Sequence, residues 1–192
     1  MILIINGSPR KNGNVAHMLK EMKLTAEEAG AEVKLINISE LNVKPCIGCM
    51  KCRTAKECCL PADDSLNVMQ LIKRADSMVI GAPCYWGNMP GQLKMLFDRM
   101  VYGLMGESES GIPQPLHKGK RAVIVTVCNT IFPFNIIFKQ SRGTANALKE
   151  ILKWSGFKVI KTVERGGMRK HPQLTASDLK RCKTAMTRLL LH

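Results

Sequence analysis

The chain begins with MILIINGSPRKNGN over residues 1–14, and this stretch is the strongest indication of its fold. Residues 1–6 form an apolar, β-branched run that is typical of a buried strand. Residues 7–14 are a Gly-rich turn, and a helix is expected from Asn14 to Ala29, where Gly30 ends it. A buried strand that leads through such a turn into a helix is characteristic of α/β proteins.

The rest of the chain repeats the alternation of strand and helix. Further strands are expected at 32–38, 77–82, 121–128 and 157–163, and further helices at 65–74, 92–102, 138–154 and 176–191. Strands separated by helix-length segments predict a parallel sheet with helices on both faces. Five strands fit one doubly wound domain over residues 1–192 with strand order 2-1-3-4-5.

Composition and charge narrow the class of protein. The 192 residues are 45% hydrophobic, which is typical of a globular domain. The net charge of +14 suits either an anionic partner or simply a solvated basic surface. Because the basic residues are dispersed, with only two Trp, two Tyr and five Phe in the chain, we expect no nucleic-acid binding.

The sequence also gives expectations about compartment. No apolar run approaches the length of a membrane span, so we expect no membrane partner. The start is too short and too abruptly polar for a signal peptide, which makes the cytoplasm the expected location. In that compartment, the eight cysteines are not expected to form a disulfide framework.

Ligands of doubly wound sheets bind at the carboxyl ends of the strands, near the point where strand order reverses. That rule selects the loops after the first, third and fourth strands. The first loop, residues 7–14, joins a strand to a helix N-terminus, where free backbone N–H groups favour an anion. Its glycines match neither a Walker loop nor the G-x-G-x-x-G turn, so a compact monophosphate suits it better than ATP or NAD. An ordinary strand-to-helix turn is the alternative.

The loop after the third strand, APCYWGNMPG at residues 82–91, is rich in rings. Tyr85 and Trp86 lie beside two glycines and two prolines, and such a rigid loop can bracket a flat ring. The alternative is a core-packed turn, with Asp98 and Arg99 beyond it as an ordinary surface pair.

A third feature is the cysteine cluster CIGCMKCRTAKEC at residues 46–58. Its C-x2-C-x2-C-x5-C spacing lets several thiolates converge on one metal centre. We predict that residues 38–64 are a Cys-rich insertion after the second strand, ordered by what it holds. An iron–sulfur cluster, a zinc ion and free thiols all stay open, and Cys59 is expected to be structural. The candidate ligands are Cys46, Cys49, Cys52 and Cys58.

GSPRKNGN, APCYWGNMPGQLKMLFDR and the cysteine cluster followed by Asp63 and Asp64 together resemble the flavodoxin-like NADPH-dependent FMN reductase superfamily. Within it, the chain is most similar to the iron–sulfur flavoproteins. The resemblance covers most of the chain and is strongest over residues 1–100. It implies a flavodoxin-like fold, FMN as cofactor and an FMN-dependent oxidoreductase.

The resemblance also implies roles for individual residues. Cys84 replaces the aliphatic residue expected there, and we expect it to be buried and inert. The third loop, residues 128–135, would close over the flavin, with its apolar side chains on the substrate side or at a subunit contact. The FMN phosphate would be held by Ser8, Arg10, Gly13, Asn14 and Val15. The isoalloxazine would be surrounded by Pro83, Cys84, Tyr85, Trp86, Gly87, Asn88 and Met89.

Three functions follow as hypotheses. In the first, electrons pass between FMN and a [4Fe-4S] cluster, and an acidic, ferredoxin-like carrier is the partner. In the second, the protein is an FMN or quinone reductase with no cluster, and NAD(P)H is its transient donor. The third, a zinc-containing nucleic-acid-binding protein, is remote. No catalytic acid or base is expected, and the family implies a homodimer or homotetramer.

Overall fold

The computed structural model describes residues 1–191 of the chain. The strands in this range are β1 (Ile2–Asn6), β2 (Val33–Asn37), β3 (Ser77–Pro83), β4 (Met105–Glu107), β5 (Pro113–Pro115), β6 (Arg121–Val127) and β7 (Lys158–Arg165). The helices are α1 (Asn14–Glu28), α2 (Cys52–Ala55), α3 (Asp64–Arg74), α4 (Gly91–Arg99), α5 (Val101–Leu104), α6 (Phe134–Ile137), α7 (Gln140–Ser155) and α8 (Ala176–Leu190).

A five-stranded parallel sheet forms the centre of the molecule. Its strand order is β2-β1-β3-β6-β7, and all four neighbouring pairs are parallel. Since β6 and β7 are the fourth and fifth strands of this sheet, the predicted order 2-1-3-4-5 is confirmed. The antiparallel pair β4 and β5 was not predicted, because its strands are three residues long and show no hydrophobic alternation.

Both faces of the sheet are covered by helices. On one face, β1, β3 and β6 pack against α3, α4 and α7 around residues such as Ile80, Leu96 and Leu148. On the other face, α1 and α8 cover the sheet through residues such as Met18 and Met186. All of these side chains are fully or almost fully buried, which explains the apolar, β-branched character of the central strands.

Two predicted helices differ from the observed ones. The expected helix at 92–102 is interrupted at Met100, where the backbone leaves helical geometry between α4 and α5. The helix expected from 138 begins at Gln140, because Lys139 adopts a positive φ of 54° between α6 and α7. Neither interruption involves proline or glycine at the break, so the sequence carried no signal for it.

The stretch after β2 contains little regular structure. A single 3-10 turn at Ile38–Glu40 leads into the Cys-rich segment, defined here as residues 41–63, in which α2 is the sole helix among the described residues. That this stretch is an insertion stays a prediction. Within residues 1–191, no helix is both long enough and apolar enough to cross a membrane.

Candidate cofactor site

A cleft opens at the carboxyl ends of β1, β3 and β6. This is the edge that the strand-order rule selects for a ligand, because β1 and β3 are the neighbours at which the connections reverse direction. The cleft is lined by Ser8, Arg10, Gly13, Asn14, Val15, Pro83, Cys84, Tyr85, Val127, Cys128, Asn129 and Met168.

The first loop places the N-terminus of α1 at the cleft. Ser8 is buried, and its Oγ accepts the amide of Arg10 at 3.1 Å, which curls the chain over the strand end. Within residues 1–191, no side chain caps α1. The first N–H groups of a helix have no partner within it, so those of Asn14 and Val15 are available to an anion. The exposed Arg10 adds positive charge beside them.

The second loop is a tight two-residue turn. The amide of Tyr85 donates to the carbonyl of Asn88 at 2.8 Å, and the reverse bond measures 2.9 Å. Trp86 and Gly87 occupy the turn with φ angles of 54° and 73°, which is the left-handed pairing of a type I′ turn. For tryptophan this region is sterically unfavourable, and its side chain is fully exposed at 102%.

Helix α7 braces this turn from behind. The hydroxyl of Thr144 donates to the carbonyl of Asn88 at 2.9 Å. Gly143 faces the carbonyl of Gly87 so closely that a Cβ at position 143 would overlap that oxygen. The two contacts fix the loop on the first turns of α7 and hold it in place without a ligand.

The structure places the predicted cofactor residues in two groups. Eight of the twelve line the cleft, whereas Trp86, Gly87, Asn88 and Met89 do not. Met89 is only 5% exposed and belongs to the hydrophobic core. The expectation that Cys84 is buried is wrong, because its side chain is half-buried and lines the cleft.

Sequence reasoning missed part of the cleft wall. Cys128 and Asn129 line the cleft and belong to the third loop, which is expected to close over the flavin, but neither is among the twelve predicted cofactor residues. Val127 also lines the cleft and was not predicted. Met168 follows β7 and reaches the cleft because its amide donates to the carbonyl of Cys128 at 3.1 Å. A contact between two loops so distant in sequence leaves no local signal.

The third loop and the residues that follow it present an exposed apolar patch, defined here as Phe132, Phe134, Ile137 and Phe138. These side chains are between 45% and 77% exposed. The rings of Phe134 and Phe138 stack with centroids 5.8 Å apart. An apolar patch of this kind suits either of the predicted uses, substrate contact or subunit contact.

The Cys-rich segment is fastened at its base by two carboxylates. Asp64 accepts the amide of Asn42 at 2.7 Å, and Asp63 accepts the amide of Lys44 at 2.9 Å. Asp63 also lies 3.3 Å from the guanidinium of Arg99, which is 3% exposed. The alternative in which Asp98 and Arg99 form an ordinary surface pair is therefore wrong for Arg99, which is buried and ties α4 to this segment.

These contacts change the acidity of Asp63. Burial alone would raise the pKa of its carboxyl, but the Lys44 amide, Ser65 and Arg99 stabilise the charged form more strongly. The pKa of Asp63 is therefore held below its usual range. Asp63 also caps α3 by accepting the amide of Ser65 at 2.9 Å, as expected from the sequence.

The tip of the Cys-rich segment, defined here as residues 46–59, carries its five cysteines. The pKa of the Cys52 thiol is raised, first by burial and then by the neighbouring thiols of Cys58 and Cys46. The sulfur of Cys49 lies 3.4 Å from that of Cys59. Cys59, expected to be structural, is exposed and lies beside another thiol of the segment. In residues 1–191, no group of three or more ligands converges on a point suited to a metal ion.

Comparison with known proteins identifies the family. The profile of the family described as NADPH-dependent FMN reductase matches residues 1–164. The chain belongs to this family. The resemblance drawn from the sequence is therefore confirmed.

Relatives within the family include iron–sulfur flavoproteins. The chain is 36% identical to one from Methanocaldococcus jannaschii over 98 residues, covering 51% of this chain and 50% of the relative. It is 39% identical to another from Methanosarcina thermophila over 97 residues, covering 50% of each. The chain thus spans about half the length of the curated relatives it matches.

Solved structures of low identity share the fold. An FMN-dependent NADH-azoreductase from Bacillus anthracis, determined in complex with FMN, superposes with a TM-score of 0.74 at 18% identity. The match covers 98% of both chains. The flavodoxin-like arrangement of the chain is thereby supported along its length.

The cleft of this FMN reductase family member fits its family's cofactor. The uncapped α1 terminus and Arg10 suit a phosphate, while Pro83, Tyr85 and Met168 supply an apolar border for a ring. The cysteine segment fits a metal centre by donor chemistry, because thiolates are the ligands that iron–sulfur clusters use. Its geometry in residues 1–191 is not that of a closed site.

Proposed function

We propose that the protein is an FMN-dependent oxidoreductase that binds FMN in the cleft at the ends of β1, β3 and β6. The observation that carries this proposal is the uncapped N-terminus of α1 opening into a cleft bordered by Arg10 on one side and the braced second loop on the other. Family membership and the fold support the same cofactor.

Each border of the cleft has a task in this proposal. Free amides of Asn14 and Val15, with Ser8, Gly13 and Arg10, bind the phosphate. Pro83, Cys84 and Tyr85 border the isoalloxazine, and the predicted residues Trp86, Gly87, Asn88 and Met89 form the turn that positions Tyr85. FMN supplies hydride or single-electron transfer when bound, so no side-chain acid or base is required.

Titration with FMN tests this assignment. Arg10→Gln removes a charge that lines the cleft, and we expect FMN affinity to fall about tenfold, as for loss of one charge-assisted hydrogen bond. Lys11→Gln is the matched control, because Lys11 pairs with Glu40 at 2.8 Å outside the cleft and should leave affinity nearly unchanged. If the wild-type protein binds no FMN, the proposed function is wrong.

We also propose that Cys46, Cys49, Cys52 and Cys58 hold a [4Fe-4S] cluster. The relatives named iron–sulfur flavoproteins and the C-x2-C-x2-C-x5-C spacing support it. The tip of the segment would then close around the cluster while its base stays fastened by Asp63 and Asp64. A basic chain of net charge +14 suits an acidic, ferredoxin-like carrier as electron partner.

Anaerobic reconstitution with iron and sulfide tests the cluster. We expect about four irons and four sulfides per chain in the wild type. Cys49→Ser should lose this content, whereas Cys59→Ser, the adjacent thiol outside the predicted set, should keep it. Zinc in place of iron would make the site structural. Absence of any bound metal would remove the cluster from the proposal.

The alternative without a cluster is an FMN or quinone reductase supplied by NAD(P)H. A protein from Idiomarina loihiensis named FMN-dependent NADH:quinone oxidoreductase 1 supports it, with 31% identity over 110 residues. Rapid NAD(P)H oxidation with a quinone by the FMN-loaded Cys49→Ser variant would favour this alternative. Strict dependence of electron transfer on the cluster would exclude it.

We further infer a homodimer or homotetramer. The exposed apolar patch of the third loop is the surface that a second copy would cover. Light scattering on the wild type and on Phe132→Ser tests this, with dissociation expected for the variant. A monomeric wild type would contradict it.

A further inference from the structure

Two cysteines line the cleft, Cys84 and Cys128, and the proposed function requires no thiol chemistry of either. Cys84 follows β3 and Cys128 follows β6, and the last registered pair of these strands is Pro83 with Val127. The amide of Cys84 donates to the carbonyl of Val127 at 2.8 Å. This bond closes the last registered pair of the ladder, and Cys84 and Cys128 are the next residues of the two neighbouring strands.

This placement meets the backbone requirement for a disulfide. Neighbouring strands lie about 4.8 Å apart, which falls within the Cα separation of about 4.4–6.8 Å that disulfides span. Paired residues in register point to the same face of a sheet. For this pair it is the face covered by α7, since Ala82 and Ile124 of the same strands pack in that core.

The surroundings of both sulfurs suit thiol chemistry. The thiol of Cys84 donates to the side-chain oxygen of Gln140 at 3.6 Å, and the thiol of Cys128 donates to the carbonyl of Thr130 at 3.4 Å. The backbone of Ser141 acts to lower the pKa of the Cys128 thiol. Gln140 and Ser141 are the first two residues of α7, a helix that no side chain caps within residues 1–191. A helix N-terminus stabilises a thiolate.

The two thiols differ in access. Cys84 is half-buried and Cys128 is buried, yet both line the open cleft. Burial raises the pKa of the Cys128 thiol more than the Ser141 amide lowers it. Cys84 is therefore the thiol that an incoming molecule meets first, and Cys128 is the one that follows.

We propose that Cys84 and Cys128 form a redox-active dithiol that exchanges with small disulfides entering the cleft. The sulfur of Cys84 attacks one sulfur of the disulfide, which forms a mixed disulfide and releases one thiol. The sulfur of Cys128 then attacks Cys84, which closes the Cys84–Cys128 bond and releases the second thiol. The two protein thiols lose two electrons and two protons, and one disulfide becomes two thiols.

The other cysteines of residues 1–191 do not line the cleft. Burial raises the pKa of Cys182 to about 12, and this thiol lies in the core beneath α8. The thiols of the Cys-rich segment are exposed or half-buried, and they lie on a loop outside the sheet. Within residues 1–191, Cys84 and Cys128 are the two cysteines that line the cleft.

The dithiol borders the cleft in which we propose that FMN binds, so it would add a second two-electron centre beside the flavin. That consequence rests on the proposed function. The formation of the disulfide does not, because it needs only the register of the two strands. A test on the full chain without added FMN therefore separates the two proposals.

Peptide mapping after equilibration in glutathione buffers is the decisive experiment. Cleavage after Lys and Arg releases residues 75–94 and 122–139, and each of these peptides contains one cysteine. We expect a linked pair of these peptides whose fraction rises with oxidised glutathione and disappears with dithiothreitol. Peptides that stay unlinked at every ratio, or that link to residues 46–59 instead, would overturn the proposal.

Single variants test the order of attack. With the resolving thiol removed in Cys128→Ser, glutathione should remain on Cys84. In Cys84→Ser, Cys128 should carry about tenfold less adduct, because access limits its reaction. Equal amounts of glutathione on Cys84 in one variant and on Cys128 in the other would contradict the assignment of Cys84 as the attacking thiol. Cys182→Ser serves as control and should form the linked peptides as the wild type does, and the wild-type map stands even if one variant fails to fold.

Discussion

The loops of the cleft and the Cys-rich segment leave the same edge of one sheet, yet they are held in different ways. The cleft loops continue the sheet's own hydrogen bonds: Gly7 donates to Gly81 at 2.7 Å and Cys84 to Val127 at 2.8 Å. The Cys-rich segment is tied by side chains, chiefly through the ion pair of Asp63 with Arg99. A site built on backbone ladders is formed before its ligand arrives.

This difference has an energetic consequence. Fixing a loop in one conformation costs about 1–2 kcal/mol of backbone entropy per residue. In the cleft that cost is met during folding, so it does not weaken cofactor binding. At the tip of the Cys-rich segment, where the thiols do not yet converge, a metal centre would have to supply it.

The largest effect on stability is expected at Arg99, which anchors the Cys-rich segment through Asp63. Arg99→Leu breaks a buried ion pair, and we expect a loss of about 3–5 kcal/mol in the free energy of unfolding, measured with urea. Asp98→Asn is the control: Asp98 pairs with Lys94 at 2.6 Å on the surface, and its loss should cost below about 1 kcal/mol. Equal effects would mean that burial of Arg99 does not set the strength of the anchor.

Next comes the brace behind the second loop. In Gly143→Ala the new Cβ would overlap the carbonyl of Gly87, so we expect a loss of about 1–3 kcal/mol in unfolding free energy, together with weaker FMN binding. Gly91→Ala places a Cβ in open space at the start of α4 and should not destabilise the protein. Unchanged FMN affinity in Gly143→Ala would show that the brace is not needed for the site.

A smaller effect should appear in the pH dependence of the unfolding free energy, through the carboxyl of Asp63. Because the pKa of Asp63 is lower in the folded protein than in the unfolded chain, its contribution to stability is complete above the unfolded value of about 3.9. That contribution is lost as the pH falls through the folded pKa. Urea unfolding below pH 5 should therefore show a shallower pH dependence for Asp63→Asn than for the wild type. Parallel curves would refute this linkage.

The smallest effect is expected at the tip. Cys49 is exposed, so in metal-free protein Cys49→Ser should change the unfolding free energy by less than about 0.5 kcal/mol. Cys182→Ser buries a hydroxyl in the core and should cost about 1–3 kcal/mol. A large loss in metal-free Cys49→Ser would show that the tip is structured by its thiols alone.

Much of the fold was predictable because its signals are local. The five strands of the sheet are apolar runs bounded by Gly or polar residues, and the order 2-1-3-4-5 follows from the connection rules of α/β proteins. The turn at Trp86 and Gly87 was recognised as a ligand loop, but its left-handed backbone and the exposure of Trp86 were not. Three features were not predicted because packing imposes them: the helix breaks at Met100 and Lys139 and the burial of Arg99.

The sequence by itself determined the family, the alternation of strand and helix, and the edge of the sheet at which a cofactor is expected. Tertiary structure alone decided that Met168 borders the cleft, that Arg99 holds Asp63, and that Cys84 and Cys128 line the same cleft. Each of these contacts joins residues far apart in the chain. Their proximity depends on strand register and helix packing, which no local pattern of residues specifies.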